Sequence, residues 1–215
     1  MRDNLFSGFN VPVRELKRTD LILSQIIESL GPCRLGHGDQ GFTALVRSMI
    51  GQQLSKSAAQ SIYQRLSSLC GDKGITPKLL YSKSELELRN VGLSRSKAEC
   101  LKGLAGLVLS GQIEFQELET MDDETVISIL TQVKGIGQWT AEMYLIFSLG
   151  RLDVFPFTDA SVRRAMMKVY KLDEQSYKKQ AERIANKWRP YRTIACWYLY
   201  RYIDLIRNNS STNIR

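Results

Sequence analysis

The apolar residues of this chain recur at helical spacing almost from end to end, a period that leaves little room for anything but helices packed on helices. Leu21, Ile22, Leu23, Ile26, Ile27 and Leu30 mark one such face, and Ala58, Ala59, Ile62, Leu66 and Leu69 another. No long stretch alternates apolar with polar residues as a half-buried strand would, so an all-α chain is expected. Caps and breakers bound the helices. Asp20 opens one that Gly31-Pro32 ends, a second runs near Phe42 to Ile50, and Gly51-Gln52-Gln53-Leu54 interrupts the pattern before Ser55 opens a third. Thr76-Pro77 and the Ser84/Glu87 capping box predict two short helices, Ser94 starts a helix that Gly111 stops, and Asp122 or Asp123 caps the next. Helix resumes at about Gln138 and runs to Leu149. Three more are expected over Ala160 to Tyr170, Ser176 to Trp188, and Pro190 to about Ile206, with a frayed tail from Asn208 to Asn213.

A chain of 215 residues that is 43% hydrophobic can bury a substantial core. Its formal net charge of +8 is spread along the sequence rather than gathered in a tail, which makes nucleic acid the leading partner class. Many basic proteins bind no specific polyanion, so motifs must decide. Cys33, Cys70, Cys100 and Cys196 lie far apart and His37 is the single histidine, which argues against a zinc or iron–sulfur site of local spacing. Buried free thiols are the simpler reading. No signal-like segment opens the sequence and no apolar run reaches membrane-spanning length, so a soluble intracellular protein without a membrane partner is expected.

The segment Val133 to Thr140 carries the first chemical suggestion. Two helices joined by Gly135-Ile136-Gly137 make a tight hairpin in which glycine permits positive φ and Ile136 plugs the space between the helices. The second helix then presents N–H groups without intrahelical partners, together with a positive dipole end, to any phosphate oxygen. A plain structural turn fits the same three residues.

With Gly-Ile-Gly-Gln-Trp-Thr-Ala in place, the sequence resembles the helix-hairpin-helix DNA glycosylase superfamily and within it the 3-methyladenine DNA glycosylase II branch. The resemblance runs from about Phe42 to Tyr202. It is carried by Met49-Ile50-Gly51-Gln52-Gln53-Leu54-Ser55 with Ala58-Ala59, Val91-Gly92-Leu93-Ser94 with Lys97, the hairpin, Phe155-Pro156-Phe157-Thr158-Asp159 with Val162-Arg163-Arg164, and Trp188-Arg189-Pro190-Tyr191-Arg192-Thr193 with Ala195. It implies two helical subdomains with a DNA-binding cleft between them: residues 35–149, holding the helix-hairpin-helix at about 123–149, and residues 1–34 plus 150–215.

The resemblance further implies hydrolytic removal of alkylated purines, 3-methyladenine and 7-methylguanine, after base flipping. Asp159 falls on the catalytic aspartate of that family, although at the start of a helix it also reads as an ordinary first-turn acid. Trp139 falls where a tryptophan stacks on cationic bases, the rival reading being a core residue. It also stands where bifunctional members carry a Schiff-base lysine, so no strand cleavage is expected. Gln52, Gln53, Leu54 and Ser55 match the loop that enters the minor groove, with Gln53 the chosen wedge. Gly135, Gly137, Gln138, Thr140, Lys56, Arg95, Lys97, Arg163 and Arg164 match or suggest DNA backbone contacts. The carbonyls of Thr131, Val133 and Ile136 match a hairpin site for Na+ or K+, and no other cofactor and no iron–sulfur cluster is implied.

Two positions depart from the family. Lys134 replaces a common proline, and Met143 replaces a tyrosine of the base pocket. They motivate the alternative of a catalytically weak or inactive homologue that binds abasic or distorted DNA. A monomer acting on double-stranded DNA is expected, in the nucleus of a eukaryote or the cytoplasm and nucleoid of a bacterium.

Overall fold

The computed structural model describes residues 9–36 and 38–212, so His37 and Asn213 lie outside the described residues. These form thirteen α-helices and no strand. In chain order they are α1 (Asn10–Thr19), α2 (Leu21–Leu30), α3 (Gly41–Gly51), α4 (Lys56–Cys70), α5 (Pro77–Ser82), α6 (Glu85–Asn90), α7 (Arg95–Leu109), α8 (Phe115–Leu118), α9 (Asp123–Thr131), α10 (Gln138–Phe147), α11 (Ala160–Tyr170), α12 (Tyr177–Asn186) and α13 (Arg192–Thr212). None of the described helices is long and apolar enough to cross a membrane. Two units emerge: residues 38–149 form one, and residues 1–37 with 150–215 the other.

In the unit built from the chain ends, α2 and α11 pack on α13, and α1 packs on α2. The sequence pattern placed no helix before Asp20, yet α1 forms there with a proline inside it. Pro12 lies in the first turn, where a missing N–H breaks no helical bond. Asp20 caps α2 through Oδ1, which accepts from the Leu23 N–H at 3.0 Å. Its Oδ2 accepts from Tyr170 Oη at 2.8 Å and Trp188 Nε1 at 2.9 Å, so one short side chain ties three elements together. Burial first, then the Asp20 charge, pushes the Tyr170 phenol far above its ordinary pKa.

The last helix starts at Arg192 rather than at Pro190. Arg192 donates to Asp153 Oδ1 at 2.7 Å and to the Asp153 carbonyl at 2.6 Å, and Thr193 donates to the Arg151 carbonyl at 2.8 Å, so tertiary anchors choose the starting residue. Helix also continues to Thr212 instead of fraying after Ile206. Extending an existing helix needs no new nucleus, so a polar tail can follow it.

In the other unit α3 touches α4, α7, α8 and α10. Leu45, Val46, Met49 and Ile50 of α3 meet a core that includes Leu66, Leu101, Leu104, Ala141 and Leu145, all essentially buried. Side-chain caps at Ser55, Ser84, Ser94 and Asp122 start α4, α6, α7 and α9 where the sequence places them. Helix α10 stops at Phe147, two residues early. The N–H groups of Ser148 and Leu149 both turn onto the Tyr144 carbonyl, and Gly150 takes φ 68°.

Candidate functional site

The turn from α9 into α10 is held from within. Gly135 adopts φ 91°, and a Cβ there would stand 2.9 Å from Cys100 Sγ, so both backbone and space demand glycine. Gly137 differs, because its φ is −93° and an added Cβ would meet nothing within 4 Å. Ile136 is buried as the expected plug, and its N–H donates to the Val133 carbonyl at 3.0 Å. The N-cap Gly137 carries no side chain to cap α10, in contrast with α4, α6, α7 and α9, whose caps accept a first-turn N–H. Gln138 and Trp139 are exposed in that turn. Thr140 is buried and its hydroxyl lies 3.4 Å from Gln52 Nε2, so it can offer DNA only the main-chain group that the hairpin reading requires. Lys134 points outward and pairs with Glu99 at 3.5 Å.

The loop from α3 to α4 approaches the hairpin. Gln52 was expected to face the minor groove, but its side chain turns inward and donates to the Gly135 carbonyl at 2.9 Å. Gln53 is exposed and takes φ 58°, a left-handed conformation uncommon outside glycine, and Leu54 beside it is 41% exposed. Ser55 is exposed while its hydroxyl accepts from the Ala58 N–H at 3.2 Å.

Lys97 requires the largest correction. Its Nζ donates to the Ile50 carbonyl at 2.7 Å and the Gln52 carbonyl at 2.6 Å, and burial lowers its pKa. It is bound to protein rather than extended toward a phosphate. Arg95 remains on the surface between Glu85 at 3.6 Å and Glu99 at 3.2 Å, and Lys56 is exposed.

Trp139 is 41% exposed, which sets aside the reading as a core residue. Met143 lines a cavity of about 210 Å³ between α3 and α10, with Arg47, Ser48, Thr140, Tyr144 and Phe147. The sequence did not single out Arg47. It pairs with Asp39, donates to Gln60 at 2.9 Å and lies 3.6 Å over the Tyr63 ring. An arginine set among Leu45, Val46, Met49 and Ile50 on a helix is the local signal for it.

In the unit of the chain ends, Asp159 caps α11. Its Oδ1 accepts from the Ser161 N–H at 2.7 Å and the Val162 N–H at 2.8 Å, and the residue is 7% exposed. The first-turn acid and the candidate catalytic acid are therefore one compatible arrangement: two N–H groups and a helix N-terminus fix a carboxylate in a largely dehydrated place. Arg164 is exposed, whereas Arg163 pairs with Glu174 and lies 5.2 Å over the Tyr177 ring. Burial raises the Tyr177 phenol to about 12.

Residues 46–190 match the HhH-GPD superfamily base excision DNA repair protein family. The alkylbase DNA glycosidase-like protein mag2 of Schizosaccharomyces pombe is 31% identical over 206 residues, spanning 94% of this chain and 97% of its own. The crystal structure of a DNA-3-methyladenine glycosidase from Bacillus halodurans superposes with a TM-score of 0.84 at 39% identity, covering 93% of this chain and 92% of that one. The 3-methyladenine DNA glycosylase Mag1 of S. pombe, solved in complex with abasic DNA, gives 0.76 at 32% identity over 88% of this chain and 95% of that one. With the hairpin, its uncapped helix and the capping aspartate in the matched region, this chain belongs to the HhH-GPD superfamily of base excision DNA repair proteins.

Proposed function

We propose that this protein is a monofunctional DNA glycosylase that hydrolyses the N-glycosidic bond of alkylated purines, 3-methyladenine and 7-methylguanine, in duplex DNA. The observation that carries the reading is Asp159, 7% exposed and fixed by two main-chain N–H groups. An alkylated purine is already a cationic leaving group and needs little acid assistance. As it departs, positive charge grows on the sugar, and one fixed carboxylate can stabilise that charge and orient water. The paired acids of ordinary glycoside hydrolysis are then unnecessary. The exposed indole of Trp139 suits stacking on a flipped cationic base, and no lysine stands at that position to form a Schiff base.

Backbone phosphates would be met by the uncapped start of α10 and by Lys56, Arg95 and Arg164, with the protein acting as a monomer. The carbonyls of Thr131, Val133 and Ile136 would hold Na+ or K+. They are neutral hard oxygens of the kind that hold such ions. A bound cation would add positive charge facing a phosphate. Replacing Na+ and K+ by tetramethylammonium at constant ionic strength should weaken abasic-DNA binding severalfold, and unchanged binding would remove the cation from the account. A DNA substrate supports a place in the nucleus of a eukaryote or in the cytoplasm and nucleoid of a bacterium.

The deciding experiment measures 3-methyladenine release from methylated duplex alongside binding. Asp159→Asn should lower release by about 100-fold or more while DNA binding holds. Unchanged release, or covalent trapping of the wild type by borohydride, would overturn the mechanism. Abasic binding without release by the wild type would select the binding homologue, the reading that Met143 in the cavity between α3 and α10 favours.

A further inference from the structure

Lys97 lies in the first turn of α7, three residues after the Ser94 cap. A lysine there on a basic surface ordinarily points to solvent. This one crosses to the end of α3 and donates to the carbonyls of Ile50 at 2.7 Å and Gln52 at 2.6 Å. The last carbonyls of a helix lack intrahelical partners and carry its negative pole, so a half-buried ammonium satisfies both the hydrogen bonds and the charge. From the same residue, Gln52 Nε2 reaches on to the Gly135 carbonyl at 2.9 Å. The loop is thus tied at its first residue to α7 and to the hairpin, and at its end by the Ser55 cap on α4.

Between those ties the chain has room for a single sharp reversal, and it falls at Gln53 with φ 58°. A residue with a side chain holds that conformation only where its neighbours enforce it. The reversal leaves the Gln53 and Leu54 side chains exposed beside the hairpin.

We infer that Lys97 is the positioning residue of the minor-groove loop, holding the Ile50 and Gln52 carbonyls so that the turn at Gln53 presents Gln53 and Leu54 to DNA. This rests on the proposed recognition of damaged DNA. Its consequences differ from those of a phosphate contact. A lost phosphate contact weakens all duplexes alike and makes the log–log salt slope shallower by about 0.9. A lost positioning residue removes the preference for a site where a side chain can enter the stack, and leaves the slope alone.

The test measures affinities for an intact duplex and for one with a tetrahydrofuran abasic analogue, across a salt series. The proteins are wild type, Lys97→Met, Lys97→Gln, Lys97→Arg, the Gln53→Ala, Leu54→Ala double variant, and that double variant combined with Lys97→Met. Thermal melts accompany them. Lys97→Met should reduce the abasic preference about tenfold at an unchanged salt slope, and Lys97→Arg, which keeps the charge and two donors, should recover most of it. In the Gln53→Ala, Leu54→Ala background the Lys97 substitution should change the preference by less than about twofold, because contacting residues that act through one another are not additive. Should Lys97→Met fail to fold, Lys97→Gln supplies the same comparison with a shorter, neutral amide in place of the ammonium. Retained preference in these variants, equal losses on both duplexes with a shallower slope, or a full effect in the loop-truncated background would each overturn the inference. A wild type that shows no abasic preference would overturn the damaged-DNA reading itself and this inference with it, before any variant is made.

Discussion

At the scale of single residues the two hairpin glycines separate structure from function. Gly135 sits at φ 91° against Cys100 Sγ, so Gly135→Ala must strain the backbone and displace a buried thiol. It should cost about 1–3 kcal/mol of stability, read as a lower urea midpoint. Gly137 has ordinary φ and open space around it, so Gly137→Ala should leave the urea midpoint nearly unchanged. Its methyl would stand at the uncapped start of α10, and duplex affinity should fall about tenfold. Equal folding defects in the two variants would contradict this division. The sequence motif treats the glycines as equivalent; the packing of Cys100 distinguishes them.

At the scale of elements, caps were legible in the sequence and their further partners were not. Asp20 reads as the N-cap of α2, yet its second oxygen serves Tyr170 and Trp188, 150 and 168 residues away. Asp20→Ala should therefore cost more than a lost cap. The cap contributes about 1 kcal/mol, and two buried donors left without an acceptor add about 1–3 kcal/mol each before relaxation. A loss of only about 1 kcal/mol by urea unfolding would show that Tyr170 and Trp188 find other acceptors. The uncapped start of α10 carries the complementary lesson, since the lack of Ser, Thr, Asp or Asn at Gly137 was visible in the sequence.

Across the whole molecule, several buried acids are held neutral. Burial raises Cys33 to about 11 and Tyr144, Tyr177 and Tyr198 to about 12, in each case as the largest cause. Their folded pKa values exceed the unfolded ones, so the unfolded chain releases these protons first. The stabilisation is fully present below about pH 9, diminishes as pH rises past the unfolded values, and is lost through 11 to 12. Urea midpoints should fall steeply above about pH 10. Cys33, Tyr177 and Tyr198 lie in the unit of the chain ends, with Tyr144 in the other, so probes in the former should report the earlier loss. A flat midpoint from pH 8 to 11 would contradict these assignments.

Most of the helices, most of their starts and the hairpin were legible in the residues alone, because apolar period, caps and glycine act over a few residues, while α1 and the four-residue α8 were not. The candidate roles of Asp159 and Trp139 came from the family resemblance, since from its neighbours alone Asp159 reads equally as a first-turn acid. Tertiary structure alone decided where long side chains go. Lys97 and Gln52 turn inward onto carbonyls 45 and 83 residues away, Thr140 is buried, and Arg163 is drawn to Glu174 and Tyr177. Lysine, arginine and glutamine have several rotatable bonds and similar local surroundings on any polar helix face. Which donor meets which acceptor depends on packing between distant segments, and no local pattern records it.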